Sequence, residues 1–246
     1  MEAFIRFENI WKKFGDNEIY RGLSLEVSKG ETMTIIGGSG TGKSVMLKML
    51  LGLVKPDKGD IYFDGKSVFE MTHDELITMR KRVGMLFQGA ALFDSLSVAD
   101  NVAYPLREHF KYDEAKITKI VEEKLDVVGL KDTEDKMPSD LSGGMKKRVG
   151  LARAIATDAE VILYDEPTTG LDPTNTNRID DLIVSLQERF KITSLVVTHD
   201  MQSAFQVSDR LALIYDKKIE FVGTVDEVKA SDNKIVMQFI QGQIGQ

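Results

Sequence analysis

Hydrophobic residues recur along this chain with a period of either about 2 or about 3.6 residues, and the period of about 2 predicts strands. Apolar and polar residues alternate in segments such as FIRFENI and GDIYFDG, which indicates strands. Later runs such as VILYDE and RLALIYD are almost continuously apolar, which is typical of parallel strands covered on both faces. The predicted strands cover residues 4–10, 20–27, 32–37, 59–65, 83–87, 161–166, 192–200 and 210–216.

Segments with apolar residues spaced near 3.6 predict helices. Three sequences are capping boxes or close variants of them, namely THDE from Thr72, SVAD from Ser97 and TVDE from Thr224. The residues after Ser231 predict a short terminal helix. The predicted helices cover residues 43–53, 74–82, 113–128, 142–156 and 174–190.

The order of these elements predicts one domain over residues 1–246. The strand-rich flanks, 1–88 and 157–230, indicate an α/β core, and the mostly helical middle, 89–156, indicates a lobe inserted into it. Residues 231–246 form a short helix and tail in this prediction.

Composition narrows the function classes. The chain has 246 residues, a net charge of −7 and no cysteine, which excludes disulfides, thiolate metal sites and a cysteine nucleophile. The acidic balance argues against nucleic acid as a partner, because phosphate backbones select basic surfaces. No apolar run approaches the roughly 18 residues of a membrane span, and the N-terminus lacks a signal-peptide core. The sequence therefore predicts a soluble protein that reaches a membrane only by docking.

The segment GGSGTGKS, residues 37–44, matches the phosphate-binding pattern G-x-x-x-x-G-K-[ST]. It follows an apolar strand and opens a helix, which is the context that this P-loop requires. Lys43 is predicted to reach the β- and γ-phosphates, and Ser44 is predicted to offer its hydroxyl to Mg²⁺. The predicted cradle, in which backbone N–H groups meet phosphate oxygens, comprises Gly37, Gly38, Ser39, Gly40, Thr41, Gly42, Lys43 and Ser44.

Polar residues follow three other predicted strands. Asp165 ends one of them and is predicted to hold Mg²⁺ through water, while Glu166 is predicted to act as general base on the attacking water. His199 ends another apolar run and is predicted to bond the γ-phosphate, since ligands collect at the carboxyl ends of parallel strands. Gln88, after residues 83–87, is uninformative by itself. The alternative interpretations are that Asp165 and Glu166 are merely solvated acids at a strand end and that His199 is a structural residue.

A second candidate cradle lies in DLSGGMKKRVGLARA, residues 140–154. Ser142, Gly143 and Gly144 stand directly before a basic helix, the arrangement that binds phosphate at a helix N-terminus. A P-loop wraps one side of a triphosphate, so a second cradle is useful only if it covers the exposed side. The alternative interpretation is a glycine-containing loop in which Ser142 is an ordinary N-cap.

The order of these motifs, from the P-loop through Gln88, LSGGM, Asp165 and Glu166 to His199, resembles that of the nucleotide-binding subunit of ABC transporters. The resemblance covers about residues 4–228. It implies an α/β fold with a P-loop NTPase core of the ABC ATPase type, an inserted helical lobe and an N-terminal β subdomain. It also implies that Gln88 contacts Mg²⁺ and reports to the membrane subunit.

The same resemblance implies roles at a dimer interface. Two copies face head to tail, and Ser142, Gly143 and Gly144 of one copy cap the γ-phosphate held by the P-loop of the other. Phe14 stacks on adenine, and Asp172 in TTGLDP crosses the dimer. One departure from the family pattern is methionine, where glutamine is usual, as the fifth residue of LSGGM.

A narrower resemblance lies in residues 80–109 and 141–173, which are similar to the ATPase of Mla/MCE-type phospholipid transporters. It implies an ATP-hydrolysing motor that uses ATP and Mg²⁺ to move phospholipids between the inner and outer membranes. It implies a homodimer at the cytoplasmic face of the inner membrane, under an integral membrane permease subunit. Further implied partners are an MCE-domain protein and a small STAS-like protein, with no nucleic acid.

Three alternatives stay open at this point. The first is an ABC ATPase for another substrate, such as polar amino acids or lipoproteins. The second is a non-transport ABC protein acting on DNA or ribosomes, against which the lack of a long coiled coil and of a second such domain argues. The third is a non-hydrolysing nucleotide sensor, against which Lys43, Glu166 and His199 argue.

Overall fold

The computed structural model describes residues 3–243, which separate into two compact units. The first joins the described residues up to Thr78 with those from Thr193 onwards, and the second is Met79–Ile192. The strands are β1 (Ile5–Phe14), β2 (Asn17–Val27), β3 (Thr32–Gly37), β4 (Lys58–Phe63), β5 (Lys66–Ser67), β6 (Val83–Leu86), β7 (Val161–Asp165), β8 (Thr193–Thr198), β9 (Arg210–Tyr215) and β10 (Lys218–Thr224). The helices are α1 (Lys43–Leu50), α2 (His73–Lys81), α3 (Val98–His109), α4 (Glu114–Val127), α5 (Gly143–Ile155), α6 (Pro173–Phe190), α7 (Met201–Val207), α8 (Val225–Lys229) and α9 (Lys234–Ile240), with a 3-10 turn at Pro138–Asp140.

The first unit contains strands in two arrangements. An antiparallel sheet has the order β2-β1-β4-β5, in which Ile5 pairs with both Val27 and Phe63. In the other arrangement β9, β3 and β8 are parallel, and β10 runs antiparallel to β9. All six residues of β3 are buried, which agrees with its continuous apolar sequence, because a central parallel strand is covered on both faces.

The second unit packs helices against a parallel strand pair, β6 and β7. Helix α5 contacts β6 as well as α3, α4 and α6. A Cβ added at Gly84 would lie 2.2 Å from the carbonyl oxygen of Ala154. Since real Cβ atoms do not approach backbone so closely, α5 lies against β6 only because residue 84 is glycine.

Most predicted elements are present, with shifted ends. Helix α1 stops at Leu50, before the predicted residue 53, where the chain turns through Gly52 with a φ of 67°. Strand β1 continues to Phe14 beyond the predicted residue 10. The cap predicted at Thr224 is a full capping box with Glu227.

Several elements, among them α3, α7 and β10, were not predicted individually. Helix α3 was predicted only at its capping box, and in the structure it continues through Pro105, a residue that usually ends or kinks a helix. Helix α7 is only seven residues long, and β10 lacks an apolar run because alternate residues of this edge strand are exposed. The lobe bounds of 89–156 stay a prediction.

Candidate functional site

The P-loop lies in the first unit, between the end of β3 and the start of α1. Thr41 Oγ1 donates to the Gly38 carbonyl at 2.9 Å, which closes the loop on itself. The buried Lys43 extends back along the loop, and its Nζ donates to the carbonyls of Gly37 at 2.7 Å and Gly38 at 3.0 Å. Gly42 is the N-cap of α1 and offers no side chain to cap the helix. The start of α1 therefore keeps the electropositive character that attracts anions.

Tyr20 of β2 contacts the P-loop and supports it, a role that the sequence did not reveal. Its hydroxyl donates to the Gly42 carbonyl at 2.6 Å, and its side chain is fully buried. That burial raises the pKa of the Tyr20 phenol, so the group stays protonated and can donate. A Cβ on Gly42 would lie 2.4 Å from Ile19 Cγ2 and 2.9 Å from the Tyr20 hydroxyl. The loop therefore rests directly on strand β2.

Two further predicted residues lie in the same unit. Thr198, the last residue of β8, pairs with Ile36 of the parallel strand β3. His199 therefore follows β8 at the same sheet edge at which the P-loop leaves β3. His199 is exposed at that end. Phe14 closes β1 two residues after Lys12, which pairs with Tyr20. Its ring is 48% exposed and is available to stack on a flat ligand.

The second unit brings Gln88, Asp165 and Glu166 to one strand end. Leu86 of β6 pairs with Tyr164 of β7 in parallel, so Asp165 ends β7 beside the segment that carries Gln88. Glu166 follows with a φ of 49°, a left-handed conformation that is unusual for a residue with a side chain. Its carboxylate Oε2 accepts from Thr169 Oγ1 at 3.1 Å.

Lys147 of α5 reaches the same turn. Its Nζ donates to the Glu166 carbonyl at 3.1 Å, and the residue is only 4% exposed. Burial lowers the pKa of Lys147 to about 8, while the negative charges of Asp165 and Glu166 act in the opposite direction. The sequence contained no signal for this contact beyond the basic character of KKR.

The second cradle begins α5. Ser142 is its N-cap and accepts from the Met145 N–H at 3.3 Å, while Ser142 and Gly143 are exposed. Gly144 is buried, and a Cβ there would lie 2.5 Å from Asn175 Oδ1. Asn175 in turn donates its N–H to the Asp172 carboxylate at 3.1 Å, and its amide Nδ2 also bonds to that carboxylate. These bonds lower the pKa of Asp172 and hold its exposed carboxylate beside the second cradle.

Residues 20–169, more than half of the chain, match the family model described as ABC transporter. The chain belongs to the ABC transporter family. It is an ABC-type ATPase, and the enzyme class predicted from sequence is confirmed.

Individual relatives agree with this assignment. The chain is 44% identical to the "Intermembrane phospholipid transport system ATP-binding protein MlaF" of Haemophilus influenzae, over 98% of this chain and 92% of the relative. It is 42% identical to the "Probable ribonucleotide transport ATP-binding protein mkl" of Mycobacterium leprae, over 99% of this chain and 70% of the relative. Among solved structures, the dimeric ATP-binding cassette MJ0796, bound to ADP and Pi in a post-hydrolysis state, matches with a TM-score of 0.82. That match has 31% identity and covers 90% of this chain and 98% of the other, so the predicted fold class is confirmed.

An open groove follows Gln88 in this ABC ATPase. Ala90 and Ala91 both have left-handed φ angles, and Arg153 of α5 donates to both of their carbonyls at 2.7 Å. The groove encloses about 340 Å³. Its aromatic lining consists of Phe87, Phe93 and Tyr104, each exposed.

The segment ALFDSLSVADNV, residues 91–102, leads from the groove into α3. Its apolar residues do not all face outwards, because Val98 is completely buried as the first residue of α3. Phe93 is 43% exposed, and its backbone N–H donates to Asn101 Oδ1 at 2.8 Å. Asn101 is itself buried, so it fixes the loop that presents Phe93.

Within residues 3–243, no cluster of three or more histidine and carboxylate side chains is arranged to hold a metal ion. None of the helices in that range is long and apolar enough to cross a membrane.

Proposed function

We propose that this chain is the ATP-hydrolysing motor of a transporter that moves phospholipids between the inner and outer membranes. The observation that carries the hydrolytic part is the position of the polar motifs. In each unit they follow the carboxyl ends of parallel strands, where ligands bind in α/β folds. The lipid part is supported by the identity to the H. influenzae relative and by the protein named there.

The proposal assigns the phosphates to the P-loop. The residues Gly37, Gly38, Ser39, Gly40, Thr41 and Gly42 line the loop, and the start of α1 supplies a favourable electrostatic end. Lys43 Nζ, which bonds two carbonyls of the loop, moves its bonds to the β- and γ-phosphate oxygens. Phe14 stacks on the adenine ring.

Mg²⁺ fits the donors that this chain offers. At nucleotide sites Mg²⁺ keeps several waters and is bound through one or two carboxylates together with the phosphate oxygens. Ser44 offers a hydroxyl, Asp165 a carboxylate and Gln88 an amide oxygen. When bound, the ion offsets the negative charge of the phosphates.

Glu166 and His199 carry the proposed chemistry. The Glu166 carboxylate accepts a proton from water while the water oxygen bonds to the γ-phosphorus. The bond from that phosphorus to the bridging oxygen breaks, and ADP and phosphate are released. Lys43 and His199 donate to the γ-phosphate oxygens as their charge is redistributed.

The test is Glu166→Gln, which keeps the shape of the side chain and removes the base. We expect turnover to fall by about 10²–10⁴-fold while ATP binding persists, with an ATP-dependent dimer on gel filtration. Glu188→Gln, the same change at an exposed residue of α6, serves as the control and should retain the parental rate. Parental turnover in Glu166→Gln would remove Glu166 from the role of base.

The active form in this proposal is a homodimer in which Ser142, Gly143 and Gly144 cap ATP on the other copy. The exposure of Ser142 and Gly143, and of Asp172 beside them, supports a role at an interface. We therefore expect complementation between two inactive variants, Lys43→Ala and Ser142→Arg. A mixed dimer has both defects in one site and a native second site, so an equal mixture restores roughly a quarter of the sites.

The same mixture also shows which result would contradict the head-to-tail arrangement. If Ser142 served the ATP of its own chain, every site would contain one defect and no site would be restored. Bound nucleotide is counted together with turnover, because the two sites can depend on one another. Mixed dimers that trap no ATP would contradict the head-to-tail arrangement.

We assign the permease subunit to the groove lined by Phe87, Phe93 and Tyr104. Exposed apolar patches on proteins mark partner sites, and this one directly follows Gln88. Phe93→Asp should keep basal ATPase activity and lose co-purification with the permease. Phe190→Asp changes an equally exposed aromatic residue at the end of α6 and should retain the permease. Normal co-purification of Phe93→Asp would place the contact elsewhere.

The finer parts of the proposal concern substrate and location. The chain acts at the cytoplasmic face of the inner membrane, and an MCE-domain protein and a small STAS-like protein are its further partners, with no nucleic acid. The name of the M. leprae relative supports ribonucleotides as a rival substrate. Reconstitution with the permease in phospholipid vesicles distinguishes them, since stimulation of ATPase activity by ribonucleotide and not by phospholipid would favour the rival.

A further inference from the structure

Lys147 is a buried cation whose placement the hydrolytic mechanism does not yet use. It is the fifth residue of α5, the helix that begins with Gly143 and Gly144. Among the described residues, its ammonium has one hydrogen bond, to the Glu166 carbonyl at 3.1 Å. This acceptor and the nearby negative charges of Asp165 and Glu166 compensate only in part for removing the ammonium group from water, since burial still lowers the pKa of Lys147. Stability alone therefore does not account for a lysine at this position.

The acceptor belongs to a residue held in an unusual backbone conformation. Glu166 has a φ of 49°, and such a conformation in a residue other than glycine costs about 1–3 kcal/mol unless its surroundings impose it. Lys147 holds the carbonyl of this residue, while Thr169 Oγ1 holds the carboxylate at 3.1 Å. These two contacts hold both the backbone and the carboxylate of Glu166 at this turn.

The helix that carries Lys147 also carries the second cradle. Its buried Gly144 lies against Asn175, which bonds the Asp172 carboxylate. One rigid helix thus contacts both the turn of Glu166 and the segment proposed to face the partner copy. A shift of α5 when the cradle closes on ATP would move the Lys147 ammonium together with it.

We propose that Lys147 is a positioning residue for ATP hydrolysis, which holds the Glu166 carbonyl so that the carboxylate faces the attacking water. The inference rests on the function proposed above. It predicts that Lys147 acts on the rate of hydrolysis and not on the binding of ATP, because it contacts the base and not the P-loop.

The main variant is Lys147→Met, which preserves the length of the side chain and removes its donors. We expect kcat to fall about tenfold, since the Glu166 carbonyl loses its partner, with KM for ATP and the affinity for a fluorescent ATP analogue within about twofold of the parent. Lys147→Gln restores an N–H donor without charge and should recover at least about threefold of that loss. Removal of a buried charge stabilises the fold, whereas loss of the donor to the Glu166 carbonyl destabilises it, so the melting temperature should stay within about 4 °C of the parent.

Lys124→Met is the matched control. Lys124 is likewise buried, in α4, and pairs with Asp158 at 2.7 Å. We expect this variant to keep the parental kcat. If Lys147→Met lowers kcat only in proportion to a loss of folded protein, or if Lys124→Met lowers kcat equally, Lys147 has a merely structural role and the proposal is wrong.

A double variant tests whether Lys147 acts through Glu166. Glu166→Gln combined with Lys147→Met should be no slower than Glu166→Gln alone, because the base is already absent. Multiplied losses would overturn the proposal. If Glu166→Gln itself retains parental turnover, the role of Glu166 in the proposed function is wrong. If Glu166→Gln is inactive and Lys147→Met has the parental kcat, only this inference fails.

Discussion

Gly42→Ala is the substitution whose effect follows most directly from the geometry of the P-loop. Gly42 has a φ of 96°, and a Cβ there would lie 2.4 Å from Ile19 Cγ2 and 3.0 Å from a ring carbon of Tyr20. Gly40 in the same loop has a φ of 76°, but none of the described residues would come within 4 Å of its Cβ. The pair thus separates backbone strain from steric overlap.

The loss of folding stability in Gly42→Ala has three contributions. An alanine in the left-handed region costs about 1 kcal/mol at either position. At Gly42, overpacking against the β2 side chains adds about 1–3 kcal/mol. Loss of the 2.6 Å bond from the Tyr20 hydroxyl to the Gly42 carbonyl adds about 1 kcal/mol. We therefore expect a destabilisation of about 3–5 kcal/mol for Gly42→Ala and of about 1 kcal/mol for Gly40→Ala.

The assay is thermal and urea unfolding without nucleotide, so that altered ATP binding does not enter. For a chain of this size, about 2–4 kcal/mol of difference corresponds to a melting temperature lower by roughly 5–15 °C in Gly42→Ala than in Gly40→Ala. Equal melting temperatures, within about 2 °C, would refute the reasoning, because they would mean that β2 yields to the added methyl group at no cost.

Three further outcomes are expected from the same structure. Tyr20→Phe should lower the free energy of unfolding by about 1 kcal/mol, and its effect should shrink in a Gly42→Ala background, where independent effects would instead add. Val98→Asp should destabilise the fold by roughly 3–5 kcal/mol in urea unfolding, since it buries a charge in the core. Leu96 is partly exposed, so Leu96→Asp should cost only about 1 kcal/mol. Equal stability of the two variants would place Val98 at the surface. Met145→Gln should keep kcat within about threefold, because the backbone N–H of residue 145 caps onto Ser142 whichever side chain is present, and a loss above about tenfold in an ATPase assay would contradict this.

The sequence alone was sufficient wherever the deciding interactions are local. The P-loop is recognised because residues 37–44 follow one strand and begin one helix, and the structure has both elements. The capping box of Thr224 and Glu227 and the N-cap bond of Ser142 each join residues three positions apart, so a short stretch of sequence determines them. The fold class was likewise predicted, since the order of apolar runs and helical periods specifies an α/β arrangement.

Contacts between distant segments were decided only by the tertiary structure. The Tyr20 hydroxyl meets the Gly42 carbonyl across 22 positions, and Lys147 meets Glu166 across 19. Arg153 reaches the carbonyl of Ala90 across 63 positions. Each of these side chains is polar and occurs at a position that a helix or strand tolerates, so no local preference distinguishes it from a surface residue.

The physical reason is that a hydrogen bond to a backbone carbonyl carries no signature at the accepting residue. Every residue has that carbonyl, and whether a lysine or an arginine reaches it depends on how closely two elements pack. That distance is determined by features such as Gly84, where the absence of a Cβ lets α5 lie against β6. The sequence by itself therefore specified the P-loop, the caps and the class of fold, and the packing of helix against strand decided which side chains support them.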